Sequence, residues 1–318
     1  MRSPSFRRLL EGEVEPGVPT RGTFLFSPIE NLGRKEKRPG VLKMLTNDQI
    51  ARYSRQLILP EIGVQGQQRL LEASALILGA GGLGSPAALY LAAAGVGRLG
   101  IIDREAVALG NLHRQILHTS ADVGRPKTAS ARERLHALNP GVNVVAIQEA
   151  LHRDNAKRLL QEYDVVLDGS DNFPTRYLVN DACVLLDKPL IFGGVIAFRG
   201  QAMTILPRRS ACFRCVFPEP PAVGAIPSCQ EAGVLGAAAG ILGTLMAHEA
   251  LKLLLQIGEL LTDRLLIFEG LASRVREVAV RRDNACAVCG DHPTIHDLVT
   301  EEAPVCVSEQ EERWPRSR

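Results

Sequence analysis

At 318 residues the chain is long enough for one large domain or two small ones, and 46% hydrophobic and 23% charged residues are ordinary for a globular protein. A net charge of +2, with no basic block interleaved with aromatic residues, gives no support for a nucleic-acid partner. No stretch resembles a secretory signal, and four of the seven cysteines form two Cys-x-x-Cys pairs. We therefore expect a cytoplasmic protein with a metal site, since a reducing compartment disfavours a disulfide framework.

The first 43 residues mix proline, glycine and charged residues without periodicity, which predicts a disordered N-terminal extension over 1–43. From Met44, an alternative native start, the pattern changes, and Asn47 begins a capped helix that runs toward Leu59. We expect one domain over 44–292 and a tail over 293–318.

Strand and helix patterns then alternate along the chain, which predicts an α/β fold: a Rossmann-like, largely parallel sheet flanked by helices on both faces. The predicted strands are Ala75–Leu78, Leu99–Asp103, Val142–Ile147, Val165–Asp168 and Leu190–Phe192, and the predicted helices are Gly84–Ala94, Lys127–Leu138 and Arg153–Leu160.

Beyond Phe198 the pattern is mixed, and three runs, Ala202–Leu206, Leu265–Phe268 and Val275–Val280, predict antiparallel additions to the sheet. Between them lies an apolar stretch, Val234–Ala247, that is rich in glycine and alanine. Because its helical pattern continues through polar residues, we predict a tightly packed core or subunit-interface helix and no membrane span.

A glycine-rich turn is the first candidate binding site. The sequence Gly79-Ala80-Gly81-Gly82-Leu83-Gly84 follows a predicted strand and opens a predicted helix, so backbone N–H groups and a helix N-terminus can hold phosphates. Asp103 ends the next strand, where a ribose hydroxyl is bound in dinucleotide folds. By itself this pattern fits an NAD-dependent oxidoreductase as well as an ATP enzyme, although no Gly-x-x-x-x-Gly-Lys-Ser/Thr loop is present.

Strong cations and a carboxylate follow at the same predicted sheet edge. Arg114 and Lys127 can pair with phosphate oxygens. Taken alone, however, Arg114 is better explained as a surface residue and Lys127 as a helix-start lysine. After the fourth strand comes Asp168-Gly169-Ser170-Asp171-Asn172, and a carboxylate there can hold Mg²⁺. For Asp171 the alternative is that it caps the next helix.

The two cysteine pairs form the strongest isolated motif. Cys212 with Cys215, and Cys286 with Cys289, have the spacing that lets each turn supply two thiolates to one metal, which predicts a structural Cys₄ zinc site. A redox role is the alternative, but neither pair opens a helix in a thioredoxin-like context. Cys229 precedes the apolar helix and is either an accessible thiol or a bystander.

In this order, the motifs resemble the ubiquitin-activating-enzyme superfamily. The closest match is its bacterial sulfur-carrier branch, the MoeB, ThiF and HesA type, which includes the adenylyltransferases for molybdopterin synthase. The resemblance covers roughly residues 46–290. It is carried by Arg52–Gln56, Gly79–Gly84, Asp103, Asn111–Gln115, Val123–Lys127, Asp168–Asn172, Cys229–Val234 and both cysteine pairs.

The resemblance implies a role for each matching residue. Catalytic roles fall on Arg55, Arg114, Lys127, Asp171 and Cys229. Arg55 would reach into the active site of a second subunit, which implies a homodimer, and in some members the cysteine at Cys229 links covalently to the carrier. The residues that would line the ATP site are Gly79, Gly81, Gly82, Gly84, Asp103, Gly110, Asn111, Leu112, His113, Arg114, Gln115, Lys127, Asp171 and Asn172.

The implied reaction is ATP- and Mg²⁺-dependent adenylation of the C-terminal glycine of a small ubiquitin-like sulfur carrier that ends in Gly-Gly, releasing pyrophosphate. A MoaD-like carrier of molybdenum cofactor biosynthesis is expected. A ThiS-like carrier of thiamine or another sulfur-transfer pathway is the alternative within the same chemistry. No membrane or nucleic-acid partner is expected.

Overall fold

The computed structural model describes residues 44–221 and 232–298. Two helices, α1 (Asn47–Leu57) and α2 (Gly63–Glu72), precede the sheet. Helix α1 begins at a capping box, in which the Thr46 hydroxyl accepts from the Gln49 N–H and the Gln49 side chain accepts from the Thr46 N–H. The predicted helix start is confirmed, with Thr46 as the residue that caps it.

Eight strands form one sheet in the order β3-β2-β1-β4-β5-β6-β7-β8. The five parallel strands are β1 (Ser74–Leu78), β2 (Arg98–Ile102), β3 (Asn143–Ile147), β4 (Val165–Asp168) and β5 (Leu190–Ile196). Strands β2 and β3 follow on one side of β1, and β4 then pairs with β1 on its other side. This reversal opens a crevice at the carboxyl ends of β1 and β4, the usual ligand position in such sheets.

Three antiparallel strands complete the sheet, as the sequence predicted. They are β6 (Arg199–Ile205), β7 (Arg264–Glu269) and β8 (Arg274–Ala279). Strand β5 is longer than predicted because it continues to the β5–β6 turn, where Ala197 has a φ of 50°.

Helices cover both faces of the sheet, as expected for parallel strands joined by crossovers. One face packs against α2, α3 (Gly84–Ala94), α4 (Lys127–Leu138) and α8 (Gly236–Leu255). The other packs against α5 (Arg153–Leu160), α6 (Phe173–Leu185) and the short α7 (Phe213–Val216).

Helix α8 is the predicted apolar helix, and it begins at Gly236, shortly after the described chain resumes at residue 232. Within that part of the chain it is the one helix long and apolar enough to cross a membrane, but 61% of the qualifying window is buried inside the protein. Its small residues allow a close approach to α3: Ala239 lies against Gly82, and Gly243 lies against the Leu83 carbonyl and the Pro86 ring. This supports the prediction of a core helix.

The contact at Gly243 gives a stability prediction. A methyl group there would lie 2.5 Å from Pro86 Cγ and still closer to the Leu83 carbonyl oxygen. We expect Gly243→Ala to lower the free energy of unfolding by about 2 kcal/mol in urea titrations, because the two helices must move apart. Gly240→Ala on the same helix, where an added methyl has no atom within 4 Å, should cost nothing. Equal losses in the two variants would contradict this packing.

Candidate nucleotide site and cysteine cluster

The glycine turn lies in the crevice between β1 and β4. Gly79 has a φ of +84°, which favours glycine, and its N–H donates to the Ile102 carbonyl at 2.8 Å. Gly84 begins α3 and lies so close to the Gly79 carbonyl oxygen that no side chain fits there. Among the described residues no side chain caps the N-terminus of α3, and no acidic residue lies in its first turn, so this end of the helix is suited to an anion.

Asp103 lies beside the turn, as the sequence predicted. Its carboxylate accepts from the Ala80 N–H at 2.9 Å and from the Glu105 N–H at 2.8 Å. Each carboxylate oxygen keeps a lone pair for a further donor. The group therefore orders the turn and still has capacity for a ribose hydroxyl.

The segment Asn111–Gln115 packs over the turn. The Arg114 side chain runs past Gly82, and its guanidinium donates to the Gly110 carbonyl at 3.1 Å and lies 2.8 Å from His113 Nε2. Neither neighbour is anionic, and Arg114 forms no ion pair with any residue that the structure describes. Its charge is therefore available to a ligand.

Gln115 is buried beneath the same segment, with its amide close to Gly81. Within the described chain its Oε1 atom has no hydrogen-bond donor. An unsatisfied buried oxygen is costly, so this atom marks a place where a ligand donor fits.

Lys127 is the first residue of α4 and is almost fully buried, with 3% of its side chain exposed. Its ammonium lies 2.6 Å from the Glu105 carboxylate, whose side chain is 61% exposed. The hydrogen bond from Lys127, aided by the charges of Arg104 and Arg114, holds the pKa of Glu105 below its usual value despite partial burial. Lys127 is thus a charged group kept at the site by a partner that remains solvated.

The loop after β4 separates two aspartates with different environments. Asp168 is buried, which raises its pKa, and its Oδ1 accepts from the Ser170 N–H at 2.9 Å. Asp171 is exposed and makes no hydrogen bond or ion pair to any residue that the structure describes. The alternative that Asp171 caps the next helix is wrong: α6 is capped by Asn172, whose Oδ1 accepts from the Thr175 N–H at 2.9 Å.

The four cysteines of the two pairs converge on one point, although the pairs lie 74 residues apart. All four sulfur atoms lie within 4.8 Å of one another, and neighbouring sulfurs are 3.4 to 3.8 Å apart. A zinc–sulfur bond of about 2.3 Å in a tetrahedron separates sulfurs by about 3.8 Å, so the spacing fits Zn²⁺, whereas a disulfide would need about 2.05 Å.

Polar hydrogens surround this cluster. The Asp283 N–H donates to Cys215 Sγ at 3.3 Å, and the Asn180 amide lies 3.9 Å from Cys212 Sγ. Such donors stabilise thiolates. Cys212 precedes α7, but this helix has only four residues, and Cys212 and Cys215 face the other cysteine pair, which is not a thioredoxin-like context.

Comparison with known proteins identifies the family. Residues 53–288 match the model of the ThiF family, which is most of the chain. The chain belongs to the ThiF family. It is 51% identical to the sulfur carrier protein adenylyltransferase of Thermus thermophilus over 263 residues, 81% of this chain and 97% of that protein. It is also 45% identical to the adenylyltransferase and sulfurtransferase MOCS3 of Arabidopsis thaliana over 87% of this chain, but it spans only 60% of that longer protein.

Solved structures show the same fold. The Escherichia coli protein MccB superimposes with a TM-score of 0.69 at 22% identity, covering 80% of this ThiF-family chain and 76% of that one. With so low an identity the likeness concerns the fold, and it confirms the Rossmann-like α/β architecture.

Most of the predicted site residues of this ThiF-family chain lie at the carboxyl ends of the parallel strands. The glycine turn, Asp103, Asn111–Gln115 and the 168–172 loop surround the crevice, and Lys127 joins them through Glu105. Arg55 does not join them within one chain. It is exposed in the last turn of α1, where the neighbouring Gln56 bonds to the Ala94 carbonyl, at the opposite end of α3 from the glycine turn. Cys229 lies outside the described residues.

Two further polar residues belong to this edge and were not expected from the sequence. Glu105 pairs with Lys127, and His118 contacts the Ala80 carbonyl. The sequence carries no spacing signal for either contact, because each joins residues 22 or more positions apart through the fold.

Proposed function

We propose that this ThiF-family chain adenylates the C-terminal glycine of a small ubiquitin-like sulfur carrier protein that ends in Gly-Gly, using ATP and releasing pyrophosphate. The observation that carries the proposal is a pair of cations beside a dinucleotide-type glycine turn: Arg114 lies against Gly82, and Lys127 is linked to the turn through Glu105 and Asp103. A nicotinamide dinucleotide needs no such pair, which weighs against an oxidoreductase. The relative from Thermus thermophilus, named for the same activity, supports the proposal.

The chemistry joins two anions. The carrier carboxylate attacks the α-phosphorus of ATP, the bond to the β-phosphate oxygen breaks, and the products are an acyl-adenylate and pyrophosphate. Negative charge gathers on the phosphoryl oxygens during this step, so fixed positive charges in a closed site lower the barrier. No strong base is required, because the carboxylate is already ionised at neutral pH.

The roles follow the chemistry of each side chain. We assign the phosphates to the glycine turn, Arg114 and Lys127, and the ribose to Asp103. Asn111 and the buried Gln115 oxygen, with the backbone of Gly110, Leu112 and His113, complete the ATP site. The Gln115 oxygen needs a donor, which ATP offers at its ribose hydroxyls and its adenine amino group but not at its phosphates.

Two metal ions complete the proposal. Asp171, with Asn172 beside it, would hold Mg²⁺, which prefers one or two carboxylates together with phosphate oxygens, and the exposed carboxylate of Asp171 fits that use. Bound Mg²⁺ neutralises phosphate charge. The sulfur spacing of Cys212, Cys215, Cys286 and Cys289 supports a structural Zn²⁺, since four thiolates leave no open position.

We further propose a homodimer with shared sites. Arg55 is exposed and lies at the far end of α3 from its own glycine turn, so it can act only at another subunit's site. Reduced thiolates require a reducing compartment, which supports a cytoplasmic location. A MoaD-like carrier of molybdenum cofactor biosynthesis is our first candidate, and a ThiS-like carrier is the second.

The test is carrier-dependent exchange of pyrophosphate into ATP, measured with purified protein and candidate carriers. We expect exchange with a Gly-Gly carrier and none without it. Arg114→Ala should reduce the rate by about 10²-fold, because one charge is lost at the developing phosphoryl charge. Arg98→Ala is the control and should keep the rate, because Arg98 stacks on Tyr163 at the amino ends of the parallel strands, away from the site. Full activity of Arg114→Ala would show that the role is misassigned.

A further inference from the structure

A buried histidine joins the glycine turn to helix α4. His118 is 5% exposed, and its Nε2 lies 3.1 Å from the Ala80 carbonyl oxygen. Its Nδ1 lies 2.9 Å from the Ser130 hydroxyl on α4. Its backbone N–H donates to the Gln115 carbonyl at 3.1 Å, so the same residue also continues the segment that covers the turn.

The proton positions on this imidazole follow from its partners. Burial is the main cause that lowers the pKa of His118, and the Lys127 charge lowers it further. The hydrogen bond to the Ala80 carbonyl and the charges of Asp122 and Asp103 act in the opposite direction. A carbonyl can only accept, so Nε2 carries a proton and donates to Ala80, while Nδ1 lies within hydrogen-bond distance of the Ser130 hydroxyl.

At one end, His118 fixes the orientation of a peptide group in the turn. The Ala80 carbonyl and the Gly81 N–H belong to one planar trans peptide and point in opposite directions. Holding the carbonyl on the imidazole therefore fixes the direction of the Gly81 N–H. The N–H of Ala80 is held separately by Asp103 at 2.9 Å, so this residue of the turn is anchored on both sides.

At the other end, His118 reaches the helix that carries Lys127. Ser130 lies three residues after Lys127, about one turn along α4. One side chain thus connects a backbone donor of the glycine turn to the helix whose first residue supplies a buried cation. The ion pair between Lys127 and Glu105 involves neither of the two hydrogen bonds of His118, and Glu105 is its exposed partner.

We propose that His118 is a positioning residue for the nucleotide: its imidazole holds the Gly81 N–H and Lys127 in a fixed relative arrangement before ATP binds. The proposal rests on the proposed adenylation. It assigns His118 no contact with ATP and no proton transfer. Its loss should therefore raise the KM for ATP more than it lowers kcat.

Two variants of equal length separate this role from simple core packing. His118→Met removes both hydrogen bonds, whereas His118→Gln keeps a side-chain N–H that can donate to the Ala80 carbonyl. We expect His118→Met to raise the KM for ATP in carrier-dependent exchange roughly tenfold or more, and His118→Gln to stay within about threefold of the wild type. Should His118→Met fail to fold, Ser130→Ala, which removes the α4 connection and keeps the hydrogen bond to Ala80, is expected to raise the KM in the same direction.

Asn139→Leu is the structural control. Asn139 is also buried, and its side-chain amide donates to the Tyr53 hydroxyl and the Ala92 carbonyl, at the end of α3 away from the turn, while its Oδ1 accepts from the Gly141 N–H. The Asn139→Leu variant should be less stable than the wild type, with an unchanged KM for ATP. An unchanged KM in His118→Met, or equal losses in the Met and Gln variants, would overturn the positioning role while wild-type exchange persists. Absence of exchange in the wild type would instead overturn the proposed function.

Discussion

Lys127→Met is expected to reduce carrier-dependent exchange by about 10²- to 10³-fold, the range seen when one preorganised charge is removed from a transition state. Methionine has nearly the same length and suits a side chain that is 3% exposed, so the site keeps its shape and loses only its charge. The measurement is the initial rate of exchange at saturating ATP and carrier.

The same substitution should leave the fold intact. Glu105, the partner of Lys127, is 61% exposed and returns to solvent when the lysine is removed, so no charge is left buried. We expect the free energy of unfolding to change by less than about 1 kcal/mol. Lys157→Met is the matched control, because Lys157 makes an ion pair of similar length, 2.7 Å to Asp297, outside the site. More than half the wild-type rate in Lys127→Met would contradict a phosphate-side role.

Loss of the metal should have the largest effect on stability. The cysteine cluster connects α7 to the segment around Cys286 and Cys289, and three of its four cysteines lie in the apolar core of that face. We expect one zinc per chain by elemental mass spectrometry. Cys286→Ser, or prolonged chelation, should remove it and lower the free energy of unfolding by more than about 4 kcal/mol, since a structural zinc contributes directly to folding.

Cys183→Ala is the control for this experiment. Cys183 is fully buried on α6 but lies outside the cluster, so its replacement should cost some packing and leave the zinc content unchanged. A protein that purifies without metal, or a Cys286→Ser variant as stable as the wild type, would contradict a structural zinc site.

Much of the fold follows from local sequence patterns. The five parallel strands are short apolar runs separated by helical patterns, and their predicted positions differ from the observed ones by one or two residues at most ends. Helix α2 was not predicted, because Gly63 and Gly66 weaken its helical signal. Tertiary packing explains this helix. At Gly66 an added methyl would lie 3.1 Å from Leu255 of α8, so the glycine allows α2 and α8 to approach each other.

The candidate site likewise contains some residues that could be predicted from the sequence and others that could not. Residues at strand ends, such as Asp103, could be placed from the sequence because parallel strands bring their carboxyl ends to one edge. Glu105 and His118 could not, since their roles depend on contacts with Lys127 and with a backbone carbonyl that no periodicity encodes. Asn172, and not Asp171, caps α6, and the Asp171 carboxylate is exposed.

Formation of a carrier adenylate is tested most directly by intact mass measurement. The protein is incubated with ATP, Mg²⁺, pyrophosphatase and a MoaD-like or ThiS-like carrier, and the carrier is then weighed. We predict a carrier whose mass has increased by one adenylyl group, and no such gain when the terminal glycine is deleted or when Lys127→Met replaces the wild type. An unmodified mass for every Gly-Gly carrier offered, with ATP bound and the protein folded, would contradict the account.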